Sequence, residues 1–200
     1  MGIMRIENKN KLFFASDYHF CHANVIKYDE RPFSSVDEMN DELVRRWNNK
    51  VSDDDIVMYL GDFCFNPHRA QEFLDKLNGQ IHFILGNHDR LKDILRLKGL
   101  ASVSDKKDIY VKDDNAQRGY QHMVLFHYAI LQWEKSHHGS IHIHGHSHQS
   151  MYKNPEMAWY YKRRVLDAGC NGWNYEPFSY NEALDRVKNN LVSVNIDHHV

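Results

Sequence analysis

The chain contains, at residues 81–89, the sequence IHFILGNHD, in which a mainly apolar run passes directly into Gly-Asn-His-Asp. An apolar run of this length predicts a buried strand, Ile81–Leu85, whose carboxyl end carries the polar residues. The same arrangement occurs twice upstream. Leu12–Ser16 is followed by Asp17-Tyr18-His19, and Ile56–Leu60 is followed by Gly61-Asp62.

Helical patterns separate these three predicted strands. Apolar residues at spacings of three and four predict a helix that begins near Val36, and Pro67–Leu77 predicts a second, which stops at Asn78-Gly79. A third helical stretch runs from Leu91 to Leu97. Alternating strands and helices are typical of an α/β core with right-handed crossovers. Ligands of open α/β sheets gather at the carboxyl ends of the strands, so we expect the three polar ends to converge.

The second half of the chain consists mainly of short strand-like runs with few helical windows between them. We therefore predict a second sheet packed on the first. No Pro/Gly/Ser linker or internal repeat interrupts the sequence, so residues 1–200 are interpreted as one domain. The predicted strands are Ile109–Val111, Met123–Phe126, Ile141–His144, Val165–Asp167 and Leu191–Ile196.

Composition excludes several classes of protein. The chain is 42% hydrophobic and 26% charged, as in folded globular proteins. Its 25 basic and 27 acidic residues give a net charge of -2, which supplies no overall field for nucleic acid or anionic lipid. No apolar run approaches the roughly 18–20 residues that cross a bilayer, so we expect a cytoplasmic protein without a membrane partner. Three dispersed cysteines, Cys21, Cys64 and Cys170, indicate neither a disulfide framework nor a thiolate zinc site.

Histidine is unusually frequent, with 15 copies, several of them beside Asp or Asn. On a continued strand, Asp17 and His19 would point to the same side and could supply half of a divalent-metal site. His127 follows a predicted strand, and histidines at 142, 144, 146 and 148 alternate along another strand and its loop. Each of these taken alone would be an ordinary turn or surface residue. Because each follows an apolar strand, together they predict one polar rim.

The series resembles the motifs of the calcineurin-like metallophosphoesterase superfamily, which run Asp-x-His, Gly-Asp, Gly-Asn-His-Asp/Glu, a lone His and Gly-His-x-His. The resemblance covers residues 12–148. It implies an α/β fold of two packed β-sheets flanked by helices, a four-layer αββα sandwich. It also implies a metal-dependent hydrolase of phosphate mono- or diesters, in which hydroxide bridging two divalent ions attacks the phosphorus.

Carried over by position, the resemblance assigns metal ligands and a proton donor. His88 would be the general acid to the leaving oxygen, with Asp89 orienting its ring and favouring its protonated form. Oxygen and nitrogen ligands without thiolate suit Mn as the first choice, with Fe, Zn, Ni, Co or Mg as alternatives. The implied ligands are Asp17, His19 and His148 on one ion, Asn87, His127 and His146 on the other, and Asp62 bridging the two.

Further segments resemble a small bacterial and phage-type subgroup of this superfamily: His22-Ala23-Asn24, Arg31-Pro32-Phe33 and Asn171 to Pro177. His22 and Arg31 could stand at the mouth of the pocket and bind a phosphate oxygen. The alternative is architectural, with Arg31 paired to Asp29 or Glu30. Only about 50 residues follow the last ligand, too few for a separate cap domain, which favours a small phosphate-ester substrate.

Two other functions compete with a phosphoesterase of small substrates. A nuclease acting on DNA or RNA would account for residues 159–164, WYYKRR, which interleave aromatic and basic side chains. We interpret that segment instead as a hairpin with a solvated face, and the net charge disfavours a nucleic-acid partner. A non-catalytic metal-binding interaction scaffold is disfavoured by His88 and the complete ligand set. His142 and His144 could support the ligands, line a pocket or be exposed.

Overall fold

Two five-stranded sheets form the middle layers of the protein, in a computed structural model that describes residues 3–190. The strands are β1 (Met4–Ile6), β2 (Leu12–Ala15), β3 (Ile56–Tyr59), β4 (Gln80–Ile84), β5 (Ser102–Ser104), β6 (Lys106–Lys112), β7 (Tyr120–Phe126), β8 (Ile141–His144), β9 (Val165–Asp167) and β10 (Phe178–Ser179). The helices are α1 (Ala23–Tyr28), α2 (Val36–Lys50), α3 (Ala70–Leu74), α4 (Leu91–Ile94), α5 (Ser150–Lys153), α6 (Ala158–Tyr161) and α7 (Tyr180–Asn190).

The first sheet has the order β10-β2-β3-β4-β5, and the second has the order β1-β6-β7-β8-β9. In the first sheet β2 to β5 are parallel, and β10 pairs antiparallel to β2. In the second sheet only β6 and β7 pair antiparallel. The predicted α/β class with two packed sheets and flanking helices is therefore confirmed.

Alternate residues of each strand face opposite layers, as the period of two in a strand requires. Leu12 and Phe14 of β2 lie in the core between the two sheets, together with Ile109 of β6 and Ile141 of β8. The intervening residue Phe13 faces the opposite side of the first sheet, where the helices pack. Both faces of the parallel strands are thus buried, which explains their nearly continuous apolar sequences.

Helix α2 covers the outer face of the first sheet. Its start is capped by Ser35, whose hydroxyl accepts a hydrogen bond from the Glu38 amide at 3.1 Å. Met39, Leu43 and Trp47 are buried at helical spacing. The helix predicted to begin near Val36 is therefore confirmed, including its start.

Other predicted boundaries differ from the structure. Helices α3 and α4 are shorter than predicted, and α7 occupies a region where few helical windows were seen. Only three residues of α7 are buried, Tyr180, Ala183 and Val187, so its apolar stripe is narrow. The predicted strand Leu191–Ile196 lies outside the described residues.

The interpretation of residues 159–164 as a hairpin is wrong. The segment begins in helix α6, and Tyr160 and Tyr161 are buried in a cluster with Val124 and Trp133 on the outer face of the second sheet. Their hydroxyls bond to the Ile130 carbonyl and the His144 ring. Tyr160 and Tyr161 therefore belong to a core, while Trp159 is exposed. Within residues 3–190, no helix has the length and apolarity needed to span a bilayer.

Candidate metal centre

The polar motifs follow the carboxyl ends of five strands and lie together at one edge of the molecule. Asp17, Asp62 and the 86–89 loop follow β2, β3 and β4, while His127 and the 145–148 loop follow β7 and β8. Backbone hydrogen bonds join the first two loops, since the Asp17 amide donates to the Gly61 carbonyl and the His19 amide donates to the Asp62 carbonyl, both at 3.0 Å. The convergence expected from the strand ends is therefore present.

The seven predicted ligands lie together as two adjoining groups. Each group has potential ligand atoms within 4.8 Å of one another. Asn87 joins the second group, because its Oδ1 lies 2.9 Å from His127 Nε2 and 2.7 Å from His146 Nδ1. The groups are Asp17, His19 and His148 in the first and Asp62, His127 and His146 in the second.

Asp62 lies between the two groups. Its Oδ2 is 3.6 Å from His19 Nε2 in one group and 3.6 Å from His127 Nε2 in the other. Within the first group, the Nε2 atoms of His19 and His148 are 3.1 Å apart. Two nitrogens bound to one ion at about 2.1 Å are about 3.0–3.4 Å apart at octahedral or tetrahedral angles. The donor set and its spacing therefore fit divalent ions that accept nitrogen and oxygen ligands.

Neighbouring groups set which nitrogen of each ring is available. His127 Nδ1 lies 2.7 Å from the Leu60 carbonyl, so it carries the proton and leaves Nε2 free to act as a ligand. His148 Nδ1 lies 2.7 Å from Asp29 Oδ2, which has the same effect. A carboxylate behind a ligand histidine orients the ring and raises its basicity. Sequence reasoning considered Asp29 only as a partner for Arg31 and missed this role.

Most of the predicted ligands lie on backbone of unusual conformation. A positive φ is uncommon for residues other than glycine and costs of order 1–3 kcal/mol where the surroundings enforce it. Strain of this kind concentrates at functional sites, so its position here agrees with the grouping of the ligand atoms. The positive φ values are 59° at Asp17, 51° at His19, 57° at Asp62, 66° at His146 and 46° at His148.

Two motif glycines permit close approach of the loops. A Cβ on Gly86 would lie 2.2 Å from Asp62 Oδ1, and a Cβ on Gly145 would lie 2.1 Å from Ser16 Oγ and 2.6 Å from Asp17 Oδ2. No side chain fits at these distances. The glycines that precede Asn87 and His146 are therefore required for the carboxylates to reach the ligand groups.

Asp89 acts on the backbone and not on the His88 ring, which corrects the expectation from the sequence. Its carboxylate accepts hydrogen bonds from the amides of Asp62, Phe63 and Gly86 at 2.6, 3.1 and 2.9 Å. Among the described residues it makes no hydrogen bond to the imidazole of His88. The carboxylate lies between two loops and accepts from their amides, so its role is to tie the Asp62 loop to the 86–89 loop.

His88 stands at the open side of the centre. Its amide donates to Asp62 Oδ1 at 2.8 Å, while its exposed ring lies 5.5 Å from the His19 ring and 6.0 Å from the Phe65 ring, measured between centroids. The backbone is thus tied to a predicted ligand, and the side chain is exposed beside the predicted ligands.

Arg31 lies beneath the centre and not at its mouth, which corrects its expected contact with substrate. Its side chain is buried, and its guanidinium donates to the carbonyls of Tyr18 at 2.8 Å and Asp17 at 2.9 Å. It also pairs with Asp29 at 3.0 Å. Every one of these bonds holds the 17–19 loop or the carboxylate behind His148, as the architectural alternative proposed.

His22 remains beside the centre. It precedes helix α1, is half-buried, and packs on Phe65 with 4.1 Å between ring centroids. Its ring centroid is 5.8 Å from that of His19. The structure therefore separates the two candidate substrate residues, with His22 at the rim and Arg31 below it.

Burial and neighbouring charges shift the pKa values of the predicted ligands. For Asp17, burial alone would raise the pKa, but hydrogen bonding and charge from His148 hold it well below its usual range. For His148, burial opposes protonation, but Asp17 and Asp29 raise the pKa to about 10. Burial raises the pKa of Asp62 to about 6. The site therefore combines one fixed negative charge with groups that exchange protons on metal binding.

His142 and His144 are buried on the outer face of the second sheet. Burial lowers the pKa of His142 to about 3 and that of His144 to about 4. His144 Nδ1 lies 2.7 Å from the Gly145 carbonyl, at the start of the ligand loop. His144 therefore supports the loop from behind, which was one of the three alternatives, whereas the His142 ring bonds to the Val124 carbonyl and the Ile130 amide. Neither residue joins the two groups of potential ligand atoms.

Asp167, at the end of β9, is a supporting residue that sequence reasoning missed. Its carboxylate accepts hydrogen bonds from the Ser147 hydroxyl and from the amides of Gln149 at 2.9 Å and Gly169 at 2.7 Å. These bonds hold the loop that carries His146 and His148. An acidic residue directly after the apolar run Val165–Leu166 was the available signal, and it matches the pattern of the other strand ends.

Comparison with known proteins gives consistent results. A model of the calcineurin-like phosphoesterase superfamily domain matches residues 11–180. An uncharacterised protein of Methanocaldococcus jannaschii is 37% identical over 177 residues, covering 84% of this chain and 86% of that protein. The Gene 66 proteins of Mycobacterium phages D29 and L5 are 28% and 26% identical, over 82% and 80% of this chain and 90% and 86% of theirs.

A solved structure shares the fold. The crystal structure of a protein of unknown function from Aquifex aeolicus is similar with a TM-score of 0.65 and 22% identity. The match covers 88% of this chain and 98% of that chain. Likeness at this identity concerns the arrangement of the sheets and helices.

Proposed function

This chain belongs to the calcineurin-like phosphoesterase superfamily, and we propose that it hydrolyses small phosphate mono- or diesters with two divalent metal ions. Asp17, His19 and His148 would hold one ion, and Asn87, His127 and His146 the other. Manganese is the first candidate, because the ligands are oxygen and imidazole nitrogen without thiolate. Fe, Zn, Ni, Co and Mg are alternatives.

The position of Asp62 carries this proposal. One carboxylate oxygen at 3.6 Å from a histidine of each ligand group supports a bridging role, because no displacement of either loop is needed for it to serve both. A shared carboxylate also offsets the repulsion between two cations held close together. When bound, the two ions would supply an activated water and neutralise charge on the phosphoryl oxygens.

The residues of the chain would divide the remaining work. His88 would give a proton to the leaving oxygen from the open side of the centre, where its ring is exposed. Asp89 would keep the Asp62 and 86–89 loops in register through its three backbone bonds. Arg31 would hold the 17–19 loop from below through its bonds to the Tyr18 and Asp17 carbonyls.

A panel of phosphate esters tests the reaction class. Protein reconstituted with each divalent metal in turn is assayed on aryl phosphate monoesters, aryl phosphodiesters, cyclic nucleotides and single-stranded oligonucleotides. We expect turnover of small esters that requires metal and is lost in Asp62→Asn, while Asp53→Ala, an exposed turn residue, is a matched control. Cleavage confined to oligonucleotides would favour the nuclease alternative. Metal binding without turnover of any ester would favour the non-catalytic scaffold.

A further inference from the structure

A second polar cavity lies at the opposite end of the second sheet from the metal centre. It has a volume of about 710 Å³ and lies over the outer face of β1, β6 and the first half of β7. Tyr120, at the start of β7, lines it, whereas His127 follows the end of the same strand. Seven residues of strand separate the two by about 23 Å. The cavity is therefore distinct from the centre described above, and we call it the basic groove.

The groove exists because the outer layer covers only part of the second sheet. Trp133, Tyr160 and Tyr161 pack over Val124 and Val165 on one half of that face. On the other half, paired residues stand in a row across the strands. Arg5 on β1 is opposite Tyr110 on β6, which is opposite His122 on β7. The face that a helix would otherwise cover is lined by basic and aromatic side chains.

The charge of the groove is one-sided, although the whole chain carries a net charge of -2. Four basic side chains line the main cavity, and no Asp or Glu does. Among residues 3–190, no carboxylate lies within ion-pair distance of three of them, Arg5, Arg118 and Arg164. Most other arginines of the chain are paired with carboxylates, as in the contacts of Arg45 and Arg69 with glutamates. The four basic residues are Arg5, Arg118, Lys135 and Arg164.

Two buried polar atoms in the groove lack partners. The His122 side chain is 7% exposed, and its Nε2 lies 3.1 Å from Asp108, but its Nδ1 has no hydrogen-bond partner among the described residues. The Nε of Arg164 is also buried without a partner, although its Nη2 donates to Gln121 at 3.2 Å. Buried polar groups are normally satisfied, so these two atoms leave unused hydrogen-bonding capacity among the residues that line the cavity.

Aromatic rings lie among these charges. Tyr110 and His122 stack at 4.5 Å between centroids with 7° between their planes. The Arg5 guanidinium lies 5.9 Å from the centre of the Tyr120 ring. Arg5 on the first strand and Arg164 before the last are separated by four strand spacings, about 19 Å. A smaller cavity adjoins the groove at Tyr110, His122 and Lys135, and its lining is of mixed charge, with Lys106 and Lys107 beside Asp108 and Glu134.

We propose that the basic groove binds a single-stranded nucleic acid, with Arg5, Arg118, Lys135 and Arg164 on its phosphates and the half-buried Tyr110 and Tyr120 rings beside its bases. The length of the groove favours a chain of several nucleotides over one isolated phosphate, because the arginines without a carboxylate partner are spread across the five strands of the sheet. Proteins that bind single strands combine a basic groove with aromatic side chains in this way. The inference does not depend on the activity of the metal centre.

Binding is measured by fluorescence anisotropy of a labelled single-stranded 12-mer with the metal-loaded protein, and a gel checks that the probe stays intact. The double variant Arg5→Ala/Arg118→Ala is compared with Lys98→Ala/Lys188→Ala, which removes the same charge from exposed lysines outside the groove. We expect affinity at least fivefold weaker in the first variant and unchanged in the second. Each lost phosphate contact should lower the salt slope of log K by about 0.7, so the double variant loses about 1.4.

Melting temperatures establish that the variants are folded, and Lys135→Ala is a second test should the double variant melt early. Equal affinity and equal salt slope in wild type and the groove variants would overturn the proposal, because binding would then lie elsewhere. So would the absence of wild-type binding at low salt. Displacement of the 12-mer by equimolar inorganic phosphate would also overturn it, since the groove would then be a site for single anions.

Discussion

Replacing Asp89 with Ala should destabilise the protein by about 3 kcal/mol. The substitution removes the acceptor of three backbone hydrogen bonds, from Asp62, Phe63 and Gly86 at 2.6, 3.1 and 2.9 Å. Leaving a buried donor without a partner costs about 1–3 kcal/mol. Burial raises the pKa of Asp89, so the buried charge itself has a free-energy cost that alanine removes. The net effect should therefore lie near the lower end of the sum.

For a chain of this size, about 1 kcal/mol shifts the melting temperature by about 2–4 °C, so Asp89→Ala should melt about 6–12 °C lower. Thermal and urea unfolding of the metal-free protein, followed by circular dichroism, measure the change. Asp53→Ala is the control, because Asp53 is exposed in a turn. Since two of the freed amides belong to Asp62 and Gly86, metal affinity should fall as well. An Asp89→Ala stability within 0.5 kcal/mol of wild type would refute this role.

Three further predictions concern other residues of the centre. His88→Ala should keep its metal but lose roughly 10²–10⁴-fold in rate on esters with poor leaving groups. The loss should be smaller on activated aryl esters, which need less protonation of the leaving oxygen. Equal losses on both kinds of ester in steady-state assays would contradict proton donation. Arg31→Ala should lose about 2–4 kcal/mol of stability in urea unfolding, because the Asp17 and Tyr18 carbonyls lose a charged donor and Asp29 keeps only His148 as a partner, whereas a change in KM alone would indicate substrate contact. Burial lowers the pKa of His142 to about 3, so between pH 6.5 and 3 only the unfolded chain binds that proton, and this residue alone should lower stability by about 1.4 kcal/mol per pH unit below 6.5. His142→Asn should flatten this dependence in urea titrations, and an unchanged slope would contradict it.

The sequence predicted the strands that carry the site because each combines a continuous apolar run with a polar end. Strands β8 and β9 have the predicted bounds, and the ends of the others differ by a few residues. Short edge elements such as β1 and β10 carry too few apolar residues to give a pattern. Helix α7 was missed for the same reason, because its buried face is narrow.

The members of the site could be predicted from spacing, but the bonds between them could not. Asp89 is next to His88 in sequence, which favoured a contact between their side chains, yet its carboxylate points to the amides of two loops. Arg31 lies far from any predicted ligand in sequence, so its bonds to the Asp17 and Tyr18 carbonyls depend on tertiary packing. Such contacts depend on where loops meet in space.

The central claim is a pair of divalent ions that share Asp62. Metal content per chain, determined by elemental analysis after equilibration with saturating Mn and removal of free metal, tests it most directly in wild type and Asp62→Asn. We expect two ions per chain in the wild type, with at least one position depleted in the variant and most turnover lost. One ion or none per wild-type chain, together with persistent activity in Asp62→Asn, would contradict it.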